Sequence, residues 1–299
     1  MAPAPSSFTT LGTAGGPMLH PQRAQPAHLL MHGQRPILID CGEGAFNQLK
    51  RVGIEYRDVH DIFLTHHHFD HIGSLFACLG LNMMTMRRTP LTIYGPPGTQ
   101  QIVEGLIAAC AVPEAIGFGV PGQTLPKVRD FVTVREIMPG DIISLDGLEV
   151  SCCENTHYRP EAEAGQPGYL SLSYRFDLAD RSICFTGDTG PCRAIEMLAK
   201  GVDLLVGEMM DAELTMANIR RANPAMPEDA ILRIGSHIAG HHLSPEQLGD
   251  MATAVGASHV VATHLPPGLA TPETAPNYLA RIAARFSGRV AIASDLAQY

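Results

Sequence analysis

At residues 65–71 the chain reads Thr65-His66-His67-His68-Phe69-Asp70-His71, four imidazoles and a carboxylate packed into seven positions. Before it runs Asp61-Ile62-Phe63-Leu64-Thr65, apolar after its first residue and ended by a β-branched one, which reads as a buried strand. After it, the pattern from Gly73 to Met86 reads as a helix. The cluster therefore occupies a loop at the carboxyl end of a strand, where α/β folds gather ligands. Alternate residues of an extended loop point the same way, so His66 and His68 face one side together, and Asp70 and His71 follow where the chain turns. Imidazole and carboxylate without thiolate suit a catalytic zinc, iron or manganese centre better than a structural zinc.

The rest of the chain supplies a frame for such a loop. Short β-rich runs alternate with helical patterns: strands are expected at 29–33, 36–40, 62–65, 91–94, 148–153, 170–178, 182–186, 204–207, 259–263 and 290–293. Helices are expected at 45–52, 73–86, 98–111, 193–200, 212–221, 245–255 and 276–286. The helix at 245 has the clearest start: Ser244 can cap it, Pro245 suits its first turn, and Gln247 completes a capping box. Residues 113–135, rich in Pro and Gly and without a period, read as a surface excursion. Mixed sheets covered by helices follow from this order. With no repeat or long linker, residues 1–299 read as one domain, with 1–7 flexible.

Composition narrows the class. Hydrophobic residues are 45% and charged residues 17%, as in an ordinary globular chain. No apolar run approaches the roughly 20 residues of a membrane span, and residues 1–7 lack the pattern of a signal peptide. Seven cysteines in no regular framework point to reduced thiols and a cytoplasmic protein. The net charge of −9 argues against a wide grip on nucleic-acid backbone.

The motif resembles that of the metallo-β-lactamase fold superfamily. Further stretches extend the likeness along the chain: Leu11-Gly12-Thr13-Ala14-Gly15-Gly16, Asp40-Cys41-Gly42-Glu43-Gly44, Tyr94-Gly95-Pro96-Pro97-Gly98, Phe185-Thr186-Gly187-Asp188-Thr189 and Ala262-Thr263-His264-Leu265-Pro266-Pro267. They resemble the branch containing the tRNA 3′-processing endonuclease RNase Z and its arylsulfatase-like and phosphodiesterase-like relatives. The resemblance implies an αββα sandwich of two mixed sheets and a two-metal site. His66, His68 and His157 match the ligands of the first ion, Asp70, His71 and His264 those of the second, and Asp188 the bridging carboxylate. His157, Asp188 and His264 each follow an expected strand, as His66 does, so one sheet edge can collect them.

Two Zn2+ ions are expected, with Mn2+ or Fe as alternatives. Diiron relatives tend to carry Glu where His68 stands, which disfavours a redox role. A solvent molecule shared by two cations loses its proton near neutral pH, which implies a hydrolase using a bridging hydroxide, with Asp70 orienting its proton. In Gly240-His241-His242-Leu243-Ser244-Pro245, His242 resembles the branch's histidine that acts near the leaving oxygen. Asp40 is placed to orient a ligand, His67 to point away, and Gly12, Gly15 and Gly16 to make a turn.

No long Gly/Pro-rich basic arm is found, and residues 157–188 read as a loop and two strands. The first expectation is therefore a small organic ester, lactone or related substrate. The alternative is a phosphodiester, in RNA 3′ processing or a cyclic nucleotide, and a non-hydrolytic metal protein comes third. A small molecule is the favoured partner over nucleic acid, no membrane is involved, and the chain is open to forming a homodimer.

Overall fold

The computed structural model describes residues 5–160, 165 and 168–299. The expected flexible stretch 1–7 falls partly outside them. Its last residue does not fit the expectation, because Ser7 pairs with Met31 and opens a strand.

Two compact units share the chain: residues 1–12, 22–137 and 295–299 form the first, and residues 13–21 and 138–294 the second. The first holds a six-stranded sheet in chain order: β1 (Ser7–Gly12), β2 (Ala27–His32), β3 (Arg35–Ile39), β4 (Asp61–Phe63), β5 (Leu91–Gly95) and β6 (Val132–Glu136). β1 to β3 form an antiparallel meander, and β3 to β6 run parallel. The run Ile37-Leu38-Ile39 is wholly buried, as a parallel strand covered on both faces should be. Leu38, Ile62, Leu64 and Ile93 pack with Leu49, Leu75, Leu79 and Val103 of the neighbouring helices to form this unit's core.

The second unit holds a seven-stranded sheet: β7 (Ile142–Leu145), β8 (Leu148–Glu154), β9 (Leu172–Asp177), β10 (Ser182–Phe185), β11 (Leu204–Glu208), β12 (His259–Thr263) and β13 (Arg289–Ile292). β7 to β10 are antiparallel and β10 to β13 parallel. The β7–β8 hairpin turns through Asp146 and Gly147, both at positive φ (49° and 87°), the backbone that a two-residue hairpin requires. The helix Pro245–Val255 starts as expected: Ser244 Oγ accepts from Gln247 N at 3.2 Å, and Gln247 Oε1 accepts from Ser244 N at 2.8 Å. Both sheets are mixed and flanked by helices, as expected. Among the described residues no helix is long and apolar enough to cross a membrane. All seven cysteines are free thiols.

Several stretches depart from the expected pattern, among them β1 and β7, neither of which was expected as a strand. The helix expected from Gly73 begins at Phe69 and is interrupted, giving Phe69–Ile72 and Leu75–Met84. Ser74 breaks the ladder by donating from N to Cys41 O (2.9 Å) and from Oγ to Gly42 O (2.7 Å). Residues 113–135 are no simple excursion: the preceding helix runs on through Pro113 to Ile116, and β6 pairs along β5. The helix Glu228–His241 was not expected, because only Ile231 and Ile238 of its residues are buried and so thin a stripe leaves no clear period.

Candidate metal centre

In the first unit the loop after β4 is built around Asp40, which follows β3 in the left-handed region (φ 58°) and is 2% exposed. Its Oδ1 accepts from Thr65 N at 2.8 Å, its Oδ2 accepts from Thr65 Oγ1 at 2.9 Å, and the same Oδ2 accepts from His71 Nδ1 at 2.8 Å. Thr65 Oγ1 gives its only proton to Asp40, so towards His66 Nδ1, at 3.0 Å, it can only accept. One carboxylate thus fixes two tautomers. Both His66 and His71 carry the proton on Nδ1, which leaves Nε2 as the nitrogen able to ligate, the arrangement usual around metal-binding imidazoles.

The remaining loop geometry agrees with that role. His66 Nε2 lies 3.2 Å from His68 Nδ1, and His71 Nε2 lies 3.7 Å from Asp70 Oδ2. The His66 ring is 4.0 Å from that of His71 and 4.8 Å from that of His68, so His66 neighbours His68, one of its expected partners, and His71 as well. His66, Asp70 and His71 are buried, whereas His68 is exposed. His67 turns away and donates from Nε2 to Thr99 Oγ1 at 2.8 Å, and burial holds its pKa below the ordinary histidine value.

The second unit collects the other candidates at the ends of β8, β10, β11 and β12. His157 Nε2 lies 3.7 Å and His264 Nε2 3.1 Å from Asp188 Oδ2. His157 donates from Nδ1 to His241 O at 3.3 Å, which again leaves Nε2 for ligation. Its loop is tied down by Asn155, whose Nδ2 donates to Thr186 O at 3.0 Å, and by His241, whose Nδ1 lies 2.8 Å from both Thr156 O and His157 O. His264 sits at φ 57°, and Gly15 lies so close that a Cβ there would stand 2.5 Å from His264 O and 2.6 Å from its Nδ1. Gly15 is therefore more than the expected turn glycine. Its missing side chain is the space His264 occupies.

His242 joins this group, with its ring 4.9 Å from His157 and 6.0 Å from His264. Its Nδ1 donates to Glu208 Oε1 at 2.9 Å, an oxygen that also accepts from Thr189 N at 2.9 Å. Burial opposes a charge on His242, but the Glu208 carboxylate outweighs it and holds the pKa above the ordinary histidine value. Glu208, 1% exposed, escaped the sequence reading. The available signal was a carboxylate closing the apolar strand β11, in the way that Asp188 follows β10.

These donors fit divalent metal. His157, Asp188 and His242 form one trio whose ligand atoms lie within 4.8 Å of one another, and Glu208, His242 and His264 form a second. Lone-pair-bearing atoms approach one another in buried surroundings, Glu208 Oε2 is buried with no hydrogen-bond partner, and none of the candidates is a thiolate. Such atoms repel one another unless a cation or a shared proton lies among them.

The model of the beta-lactamase superfamily domain matches residues 35–265. Among curated proteins, a ribonuclease Z of Mycobacterium avium is 30% identical over 96% of this chain and 95% of its own length. Among solved structures, the metallo-beta-lactamase fold protein YhfI from Bacillus subtilis superposes with a TM-score of 0.70 at 17% identity, covering 98% of both chains. Human tRNase Z, short form, follows with a TM-score of 0.68 at 19% identity and the same coverage. The chain belongs to the metallo-β-lactamase superfamily, in its ribonuclease Z branch, and is a hydrolase of that superfamily.

Proposed function

We propose that the protein is a zinc-dependent phosphodiesterase that cleaves RNA at a 3′ end. The observation that carries this reading is the likeness to a ribonuclease Z, which runs nearly from end to end of both chains. It supports the phosphodiester alternative of the sequence reading over the small ester or lactone placed first there. A net charge of −9 describes the whole surface, whereas bound cations would set the field where the phosphate lies.

In this reading His66, His68, Asp70, His71, His157, Asp188 and His264 would hold two Zn2+ ions. When bound, the two ions supply an acidified water as nucleophile and positive charge to the phosphoryl oxygens. The chain's own residues do the rest. Asp40 keeps the Nε2 atoms of His66 and His71 deprotonated and aimed. Asp70 accepts a hydrogen bond from the nucleophile and orients it. His242, held on Nδ1 by Glu208, delivers a proton from Nε2 to the departing ribose oxygen, a poor leaving group that gains from a general acid. The cytoplasm, where RNA substrates are made and thiols stay reduced, suits both this role and the seven free cysteines.

The test combines metal analysis with a substrate panel: a 3′-extended tRNA precursor, bis(p-nitrophenyl) phosphate, p-nitrophenyl acetate and a lactone. The expected result is phosphodiester cleavage that chelation abolishes and Zn2+ or Mn2+ restores. Turnover of the ester or lactone with none of either phosphodiester would overturn the proposal.

A further inference from the structure

Phe69 stands between His68 and Asp70, two candidate ligands, and is 85% exposed, more than any other large hydrophobic side chain among the described residues. The backbone does not explain it, because Phe69 opens a short helix without a positive φ and any residue would serve there. Packing does not explain it either, since the ring takes no part in the unit's apolar core. Its neighbours show where it lies. His66, Asp70 and His71 are buried while His68 and Phe69 are exposed, so this dipeptide is the part of the ligand loop that meets the solvent from which a substrate arrives.

We propose that Phe69 is a stacking platform for the nucleobase next to the scissile phosphodiester. The inference rests on the phosphodiesterase reading and deepens it. An acidic chain with a net charge of −9 has little general attraction for a polyanion. It gains affinity for a single strand from contacts that do not depend on charge, and an exposed aromatic ring provides one. Every base offers a π-face, so stacking tolerates sequence while still requiring that a base be present. Phenylalanine has no polar atom with which to read base edges, which makes the platform selective for an unpaired nucleotide and indifferent to which one it is.

The experiment is a double-mutant cycle on the zinc-loaded protein. Wild type and Phe69→Ala are each tested on a single-stranded 3′-extended oligonucleotide and on a counterpart that is abasic beside the scissile bond. Kd is read by fluorescence anisotropy, KM and kcat by cleavage, and zinc content alongside. For the substrate with its base, Phe69→Ala should raise Kd and KM about tenfold, with kcat and zinc content unchanged and the effect persisting at high salt. The abasic substrate should show no such loss, and Phe69→Trp should restore binding. Equal losses on both substrates, or none, with cleavage intact, would overturn the platform and leave the phosphodiesterase reading standing. Base-dependent coupling in binding by a protein that cuts no phosphodiester would keep Phe69 as a base-stacking surface and overturn that reading, and with it the placement beside a scissile bond. A change in oligomeric state without base dependence would assign the ring to contact between copies and overturn the platform.

Discussion

Asp40→Asn tests how much of the metal affinity is set by a residue that would not itself touch metal. The replacement isolates the side chain: asparagine has the same shape and tolerates the φ of 58° that position 40 requires. Its amide oxygen can still accept from Thr65 N, as Asp40 Oδ1 does at 2.8 Å. Its NH2 group then faces His71 Nδ1, 2.8 Å away in the native side chain, and two donors meet. His71 can relieve this by moving its proton to Nε2, but that blocks the atom that would ligate. Loss of one hydrogen bond to a charged group is worth about 1.5–3 kcal/mol, which corresponds to roughly ten- to a hundredfold in affinity and matches the usual cost of losing such a supporting carboxylate. The assay is competition with a chromogenic zinc chelator, with zinc content measured by mass spectrometry and melting of the metal-free protein as a control on folding. Zinc affinity within twofold of wild type, with folding intact, would refute the argument that Asp40 fixes the ligand tautomers.

Gly15→Ala should lower the melting temperature and the zinc content together, because its Cβ would stand 2.5 Å from His264 O and neither backbone can yield cheaply. His242 stands in two metal-competent trios, so zinc content of the purified protein decides its role: as a general acid, His242→Ala retains zinc and loses about 10²–10⁴-fold in kcat, whereas loss of zinc or full activity would remove that role. Away from the centre, burial raises the Asp211 carboxyl, but the Leu214 N–H, Arg281 and Tyr278 together hold its pKa below the ordinary value. The hydrogen bond from Arg281 lowers that of Glu246. Two carboxylates with depressed native pKa values stabilise the fold above the ordinary carboxylate range, and this contribution is lost as pH falls through their native values. Melting temperature against pH, between about 5 and 3, should therefore fall less steeply in Arg281→Met than in wild type.

The strand ends were legible because parallel strands buried on both faces leave nearly continuous apolar runs, and the charged residues that close them stand out. Thus His66, His157, Asp188 and His264 stood out as candidates in the linear order, each after an expected strand, and the ribonuclease Z branch followed from the motifs they head. β6 was hidden because Thr133, Arg135 and Glu136 face solvent, and the helix Glu228–His241 because two buried isoleucines make too thin a stripe to show a period.

Most of the residues that could bind metal, Glu208 excepted, and the class of hydrolase were legible in the sequence by itself, because ligand chemistry depends on residue type and on strand-end position, both local properties. Which nitrogen of His66, His71 and His157 can ligate was decided only by the tertiary structure. Asp40 reaches His71 across 31 residues, His241 holds the loop of His157 across 84, and Glu208 meets His242 across 34. Hydrogen bonds spanning such distances leave no period or spacing in a linear chain, so the polarity of the centre appears only once the strands are side by side.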